Sequence, residues 1–243
     1  MKTRIFAHRG ASGYAPENTL EAFDLASRMG ADGVELDVHL CRSGEIVVAH
    51  DETVDRVADG TGMIRNLSLS ELKEMHFNRL HPEYKEARIP LLSEVFSLLH
   101  PTGLSVNIEL KNSIVDYPEL ERKVLELTAK EFDIHRVLFS SFNHHSMQRM
   151  KQLAPSVPCG LLYEAVLIDP WEYAKKLGMD AIHPHYSEVI LTPGECSSAH
   201  ASGIMVNTWT VNSQEAMKAV LQEGADILIT NYPDQALNKA IRG

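Results

Sequence analysis

The sequence is short of several things, and each shortage removes a class of protein. It has three cysteines, Cys41, Cys159 and Cys196, odd in number and far apart. No C-x-x-C pair occurs, which argues against a thiolate metal site and points to a reducing compartment. No apolar run reaches the ~20 residues that span a bilayer. Met1-Lys2-Thr3-Arg4 enters a strand-like run directly, with no apolar signal core. Cations are scarce: 23 Lys and Arg stand against 33 Asp and Glu, a formal charge of −10. A surface of that sign is unsuited to broad nucleic-acid binding and to anionic membranes, and no apolar amphipathic stretch suggests stable membrane association. No G-x-G-x-x-G follows the first apolar run, so a dinucleotide fold gains no support. The expectation is a cytoplasmic globular protein whose residues 1–243 form one domain. With 44% hydrophobic residues it can bury a large core. The sequence carries no signal for an oligomeric state.

What is present is an alternation. Eight short apolar runs read as strands: Arg4–His8, Gly33–Leu40, Ser105–Leu110, Arg136–Ser140, Pro158–Tyr163, Asp180–His183, Gly203–Thr208 and Asp226–Thr230. Helical periodicity fills 18–29, 117–131, 146–153, 170–177 and 213–223. Asn18 with Glu21 reads as a capping box, and Asp169 and Asn212 or Ser213 as further helix starts. Three helices end alike, at Gly30-Ala31-Asp32, Gly178-Met179-Asp180 and Gly224-Ala225-Asp226, where glycine supplies the left-handed closing residue. Continuous apolar strands such as Ile227-Leu228-Ile229 suit a parallel sheet covered on both faces. Eight of them alternating with helices predict an α/β fold, a (β/α)8 TIM-type barrel, over an open doubly wound sheet.

One stretch departs from the rhythm. Ser43-Gly44 reads as a turn and Ile46–Ala49 as a returning strand, a hairpin that brings His50 back toward the second barrel strand. Residues 51–90 are then too long for a simple βα loop. They include a turn at Asp59-Gly60-Thr61-Gly62, a helical piece at 70–75, and apolar Val54, Val57, Met63, Ile64, Leu67, Leu69 and Leu72. A small packed insertion at the barrel mouth is expected, in preference to a floppy loop.

The polar residues at strand ends carry the chemistry. Side chains two apart on a strand share a face, so Glu35 projects with Asp37, and Glu109 with Lys111. Acids crowded together need a cation, and oxygen donors favour a hard divalent ion: Mg2+, Ca2+ or Mn2+. His39 continues that face, either as a fourth ligand or as a polar residue past the mouth. His8 ends the first strand beside Arg9, and His50 returns toward the second. Imidazoles titrate near neutrality, so this pair suits proton exchange. Among the other histidines, His183, at the end of the sixth strand, is the reserve. Arg9 and Lys111 suit a phosphoryl group. Lys111 at a strand end also permits a Schiff-base lyase or aldolase. Glu17-Asn18 either orients the site or caps the first helix. Trp209 and Phe142 are placed at the mouth against an apolar or glycerol-like moiety. A non-catalytic phosphate-ester binding protein and a phospholipase acting on membrane lipid are the other readings. The first has no need of two proton carriers, and the second is opposed by the acidic charge.

Taken in order, these motifs resemble the glycerophosphodiester phosphodiesterase family nearly end to end. The resemblance rests on His8-Arg9-Gly10 through Glu17-Asn18-Thr19, Glu35-x-Asp37, Val47–Asp51, Asn107–Lys111, Ser140-Ser141-Phe142, Trp209–Asn212 and Thr230–Asp234. It implies a barrel with a small insertion, a divalent metal, and hydrolysis of small-molecule glycerophosphodiesters to glycerol 3-phosphate and an alcohol. Carried over, His8 and His50 become the acid–base pair. Glu35, Asp37 and Glu109 become metal ligands, and Arg9 and Lys111 hold phosphate. Cys41 and Ser43 stand where the family often has threonine and aspartate.

Overall fold

The computed structural model describes residues 2–238. Nine strands form one sheet: β1 Arg4–His8, β2 Gly33–Leu40, β3 Ile46–Val48, β4 Ser105–Leu110, β5 Val137–Ser141, β6 Cys159–Tyr163, β7 Ala181–Pro184, β8 Met205–Thr208 and β9 Ile227–Thr230. Their order is β1-β9-β8-β7-β6-β5-β4-β2-β3, and a further β1–β2 pairing closes the ring. Eight strands are parallel, while β3 folds back antiparallel on β2. This is the expected TIM barrel, with the expected hairpin at its second strand.

The helices are α1 Leu20–Arg28, α2 Leu69–Glu74, α3 Leu92–Leu99, α4 Leu120–Glu131, α5 His144–Leu153, α6 Pro170–Lys176, α7 Tyr186–Leu191, α8 Glu195–Ala201, α9 Gln214–Glu223 and α10 Pro233–Leu237. Among the described residues no helix is long and apolar enough to cross a membrane. The sequence reading had no place for α3, α7 or α8. Leu92–Leu99 does carry the helical spacing, with Leu92, Val95, Phe96 and Leu99 on one buried face, but over only about two turns, and six- or seven-residue helices are too short to display a period.

The alternation along each strand separates two apolar layers. Val34, Leu36 and Val38 of β2, with Val106, Ile108 and Leu110 of β4, join the cluster that includes buried residues of the surrounding helices. A second cluster joins Phe6, Leu138, Ile227 and Ile229 from three strands, with Trp209 beside them. Those residues share the face of their strands with the polar ones and plug the barrel. Two glycines make room for bulk there. A Cβ at Gly33 would stand 2.6 Å from the Phe6 ring, and one at Gly160 2.2 Å from His183 Nε2.

Residues 51–90 pack as well. Val54, Ala58, Ile64, Leu72, Phe77 and Ile89 are buried together with Cys41 and Val47 of the hairpin. Thr53 bridges Met63 across the turn, and Ser68 with Glu71 makes a capping box at the start of α2.

At α1 the structure corrects the cap. Thr19, not Asn18, is the N-cap, its hydroxyl accepting from the Ala22 amide. Asn18 is free for other work because it has turned to φ 56, a region Asn tolerates better than most residues. Asp169 precedes Pro170 as expected but sits at φ 49 and makes no side-chain cap bond. Ser213 caps α9 as expected. Gly30, Gly178 and Gly224 close their helices at φ 80, 72 and 82.

Behind the barrel mouth lies a buried acid pair that the sequence reading did not note. Glu188 and Glu195 are 4% and 5% exposed, and Tyr163 donates to Glu195 at 3.2 Å. Burial, reinforced by Glu195, pushes the Glu188 carboxyl up to about 7. A carboxyl raised on folding contributes most below its unfolded value and loses that contribution as pH rises through its folded one. The unfolding midpoint should therefore fall between roughly pH 5 and pH 8, with Glu188 accounting for ~1–3 kcal/mol. Thermal denaturation of Glu188→Gln across that range should remove this part of the slope. An unchanged slope would show that Glu188 is not its source.

Candidate active site

Barrel register brings the predicted acids together. His8 pairs with Glu35 across β1 and β2, and Asp37 with Glu109 across β2 and β4. Each acid points inward because its strand alternates. One oxygen of each of Glu35, Asp37 and Glu109 lies within 4.8 Å of the others, and all three residues are buried. Burial, then Asp37 and Glu109, drives the Glu35 carboxyl well above its usual range. Burial raises Glu109 too, although Lys111 opposes it. Asp37 goes the other way. Burial would raise it, but His50, Lys111, Arg9 and the Asn18 amide more than offset that and hold it ionised. Asp37 Oδ1 has no hydrogen-bond partner. Three buried carboxylates with an unpaired oxygen among them fit a hard divalent cation.

The cations flank this group. Lys111 Nζ donates to Glu109 Oε1 at 2.9 Å and lies 3.9 Å from Asp37 Oδ1. Burial would lower the Lys111 ammonium, but Glu109 and Asp37 outweigh it and keep the amine protonated. That opposes its use as a Schiff-base nucleophile. Arg9, at φ 54 beside Gly10 at φ 80, is turned off the end of β1. Its amide donates to Glu35 Oε2 at 3.0 Å, its Nη1 to Glu17 Oε1 at 2.8 Å, and its Nε lies 3.6 Å from Asp37.

The imidazoles are each held by a neighbour that the sequence reading did not assign. His8 Nδ1 donates to Asn231 Oδ1 at 2.7 Å, which leaves the lone pair on Nε2. That nitrogen lies 3.4 Å from the Thr210 hydroxyl and 4.0 Å from Glu35 Oε2. Burial, then Arg9, lowers His8 to about 3, so its ring is neutral. His50 Nδ1 pairs with Asp51 Oδ1 at 2.6 Å. Arg56, from the insertion, grips Asp51 through Nε at 2.7 Å and reaches Glu17 through Nη1 and Nη2 at 2.6 and 2.7 Å. Glu17 therefore bonds the two arginines, and Arg56 links the arm carrying His50 to the arm carrying Arg9.

The cavity at the mouth is lined on one side by His8, Arg9, Glu35, His50, Asn107 and Glu109, and on the other by Phe142, Leu162, Trp209 and Ile229. The Phe142 and Trp209 rings meet edge to face at 5.5 Å. His183 is elsewhere in the barrel wall, bonded to Asn207 at 2.9 Å and lowered to about 3 by burial alone. His39 is fully buried and bonds Tyr117 and the His50 carbonyl. Asn18 donates to Asp37 Oδ2 at 2.9 Å. Asn18, Asp51 and Asn231 stand inside the quoted motifs, yet nothing in the residues says what they face. Arg56 lies outside those motifs.

A profile of the glycerophosphoryl diester phosphodiesterase family matches residues 8–235. The chain belongs to this family. As a member it is a phosphoric diester hydrolase. A glycerophosphodiester phosphodiesterase of Caldanaerobacter subterraneus is 40% identical over 100% of both chains. One from Bacillus altitudinis is 39% identical over 97% of each. Among solved structures, an Oleispira antarctica phosphodiesterase in complex with sn-glycerol-3-phosphate superposes with a TM-score of 0.89 at 30% identity, over 97% of this chain and 96% of that one.

Proposed function

We propose that this family member hydrolyses glycerophosphodiesters to glycerol 3-phosphate and an alcohol. Glu35, Asp37 and Glu109 hold one divalent cation, Mg2+, Ca2+ or Mn2+, while His8 and His50 exchange protons. The convergence of three buried carboxylates, flanked by two imidazoles, carries this reading. The product bound to the Oleispira antarctica relative supports the choice of substrate.

A bound divalent cation supplies Lewis-acid stabilisation of phosphate charge and lowers the pKa of a nearby hydroxyl. The chain's own residues do the rest. His8 Nε2 accepts the proton of the substrate's glycerol 2-hydroxyl, whose oxygen attacks phosphorus. His50, its ring oriented by the hydrogen bond of Nδ1 to Asp51, gives a proton to the departing alcohol as the P–O bond breaks. Water then opens the cyclic phosphate with the roles reversed, so one water is consumed and the protons balance. Arg9 and Lys111 bind the equatorial phosphate oxygens, where a preorganised donor contributes ~3–4 kcal/mol to the transition state. Phe142 and Trp209 pack on the carbon face of the glycerol, and Glu17 holds Arg9 in place.

The test is a panel of glycerophosphodiesters carrying choline, ethanolamine, inositol or glycerol, assayed for released glycerol 3-phosphate with and without EDTA. Release from at least one member, lost with chelator and restored by a divalent cation, is expected. No release from any, or release indifferent to chelator, overturns the reading.

A further inference from the structure

We propose that His39 is a positioning residue for His50, its tautomer set by Tyr117. This rests on the reading of His50 as a proton carrier. The main-chain ladder of the hairpin ends where the Ala49 amide donates to the Asp37 carbonyl at 3.0 Å. One residue further, the His50 carbonyl lies 3.1 Å from His39 Nε2. A carbonyl can only accept, so Nε2 carries the proton and donates. His39 Nδ1 then holds the lone pair, and the Tyr117 hydroxyl stands 3.0 Å from it as the donor. The Tyr117 ring meets the His39 ring edge-on at 5.7 Å, and both residues are buried.

Both nitrogens of the His39 ring are thus used, and Nε2 ties it to the His50 backbone. Asp51 holds the His50 ring, and His39 holds the main chain from which that ring springs. With both in place the imidazole has a fixed origin and a fixed orientation, and a catalytic group displaced by ~1 Å can lose ~100-fold in rate. His39 lies on the face of β2 that bears Glu35 and Asp37, which suggested a fourth cation ligand. Its two nitrogens are instead committed to Tyr117 and to His50.

The experiment compares His39→Leu, His39→Gln and Tyr117→Phe, each alone and combined with His50→Ala, on glycerophosphocholine with Mg2+. His39→Leu should lower kcat roughly 10- to 100-fold with KM, and the Mg2+ concentration for half-activity, within about twofold of wild type. His39→Gln, whose amide nitrogen reaches the same carbonyl, should recover most of the loss. In the His50→Ala background neither His39→Leu nor Tyr117→Phe should cost more than about twofold, because residues acting through one group are not additive. Equal losses in both backgrounds, or a raised Mg2+ requirement, overturn the inference and assign His39 to the fold or to Asp37. Should His39→Leu not fold, Tyr117→Phe, which releases the His39 tautomer, completes the cycle with His50→Ala. A His50→Ala variant with wild-type turnover refutes the proton-carrier role first. A His50→Ala variant with strongly reduced but measurable turnover and additive losses refutes only the inference.

Discussion

His50→Ala should lower turnover of glycerophosphocholine about a thousandfold, yet leave p-nitrophenolate release from the p-nitrophenyl ester of glycerol 3-phosphate within about tenfold of wild type, with the cyclic phosphate set free instead of hydrolysed. Choline departs as a poor alkoxide unless a proton reaches it, whereas p-nitrophenolate leaves without one. The asymmetry follows from how the two rings are held. His50 Nδ1 donates to the Asp51 carboxylate at 2.6 Å, which fixes the ring and sets an anion against it. His8 Nδ1 donates to the neutral Asn231 amide and lies among buried groups, which favours a neutral ring with an available lone pair. His8→Ala should therefore depress both substrates, since proton removal from the attacking hydroxyl is needed whatever leaves. Steady-state kinetics with the two esters check this. If the p-nitrophenyl ester rescues His8→Ala and not His50→Ala, the assignment is reversed. If it rescues neither, His50 is not the acid.

Cation removal should produce the second large effect, and it should set stability against activity. Glu35, Asp37 and Glu109 are buried within reach of one another, and burial with mutual repulsion raises the Glu35 carboxyl. Without a divalent ion, ionising that carboxyl costs folding free energy. Glu35→Gln should then raise the unfolding midpoint in EDTA while lowering activity at least ~100-fold. A cation that binds only the folded wild type stabilises it by ~2.7 kcal/mol at a hundred times its Kd. Differential scanning calorimetry with EDTA and with Mg2+, Ca2+ or Mn2+ should show wild type shifted upward and Glu35→Gln shifted little. Identical wild-type midpoints in all four buffers, with turnover insensitive to chelator, would remove the metal from the proposal.

The legible part of the site lay on the strands. Glu35 and Asp37, or Glu109 and Lys111, share a face because the strand period is two, and a reader needs no coordinates to see it. His8 and Arg9 were visible as the end of an apolar run. What could not be read were contacts that close over long sequence distances. Asn231 sets the His8 tautomer from 223 residues away, a pairing that exists because β9 lies beside β1. Arg56 joins Glu17 to Asp51 from a turn in the insertion. Asn18 looked like a helix cap because its neighbours spell one. Its positive φ, which hands the cap to Thr19 and the amide to Asp37, becomes apparent only when the chain must leave Arg9 and enter α1.

The periodicities, the glycine stops and the inward-facing acids are local properties of the chain, carried by residues within a few positions of one another, and they were sufficient for a (β/α)8 barrel and for polar side chains gathered at its mouth. Which nitrogen of each imidazole bears the proton, which acid stays ionised and which arginine ties the two arms together depend on groups brought near by barrel closure. Those are matters of distance and burial, and only the tertiary structure sets them.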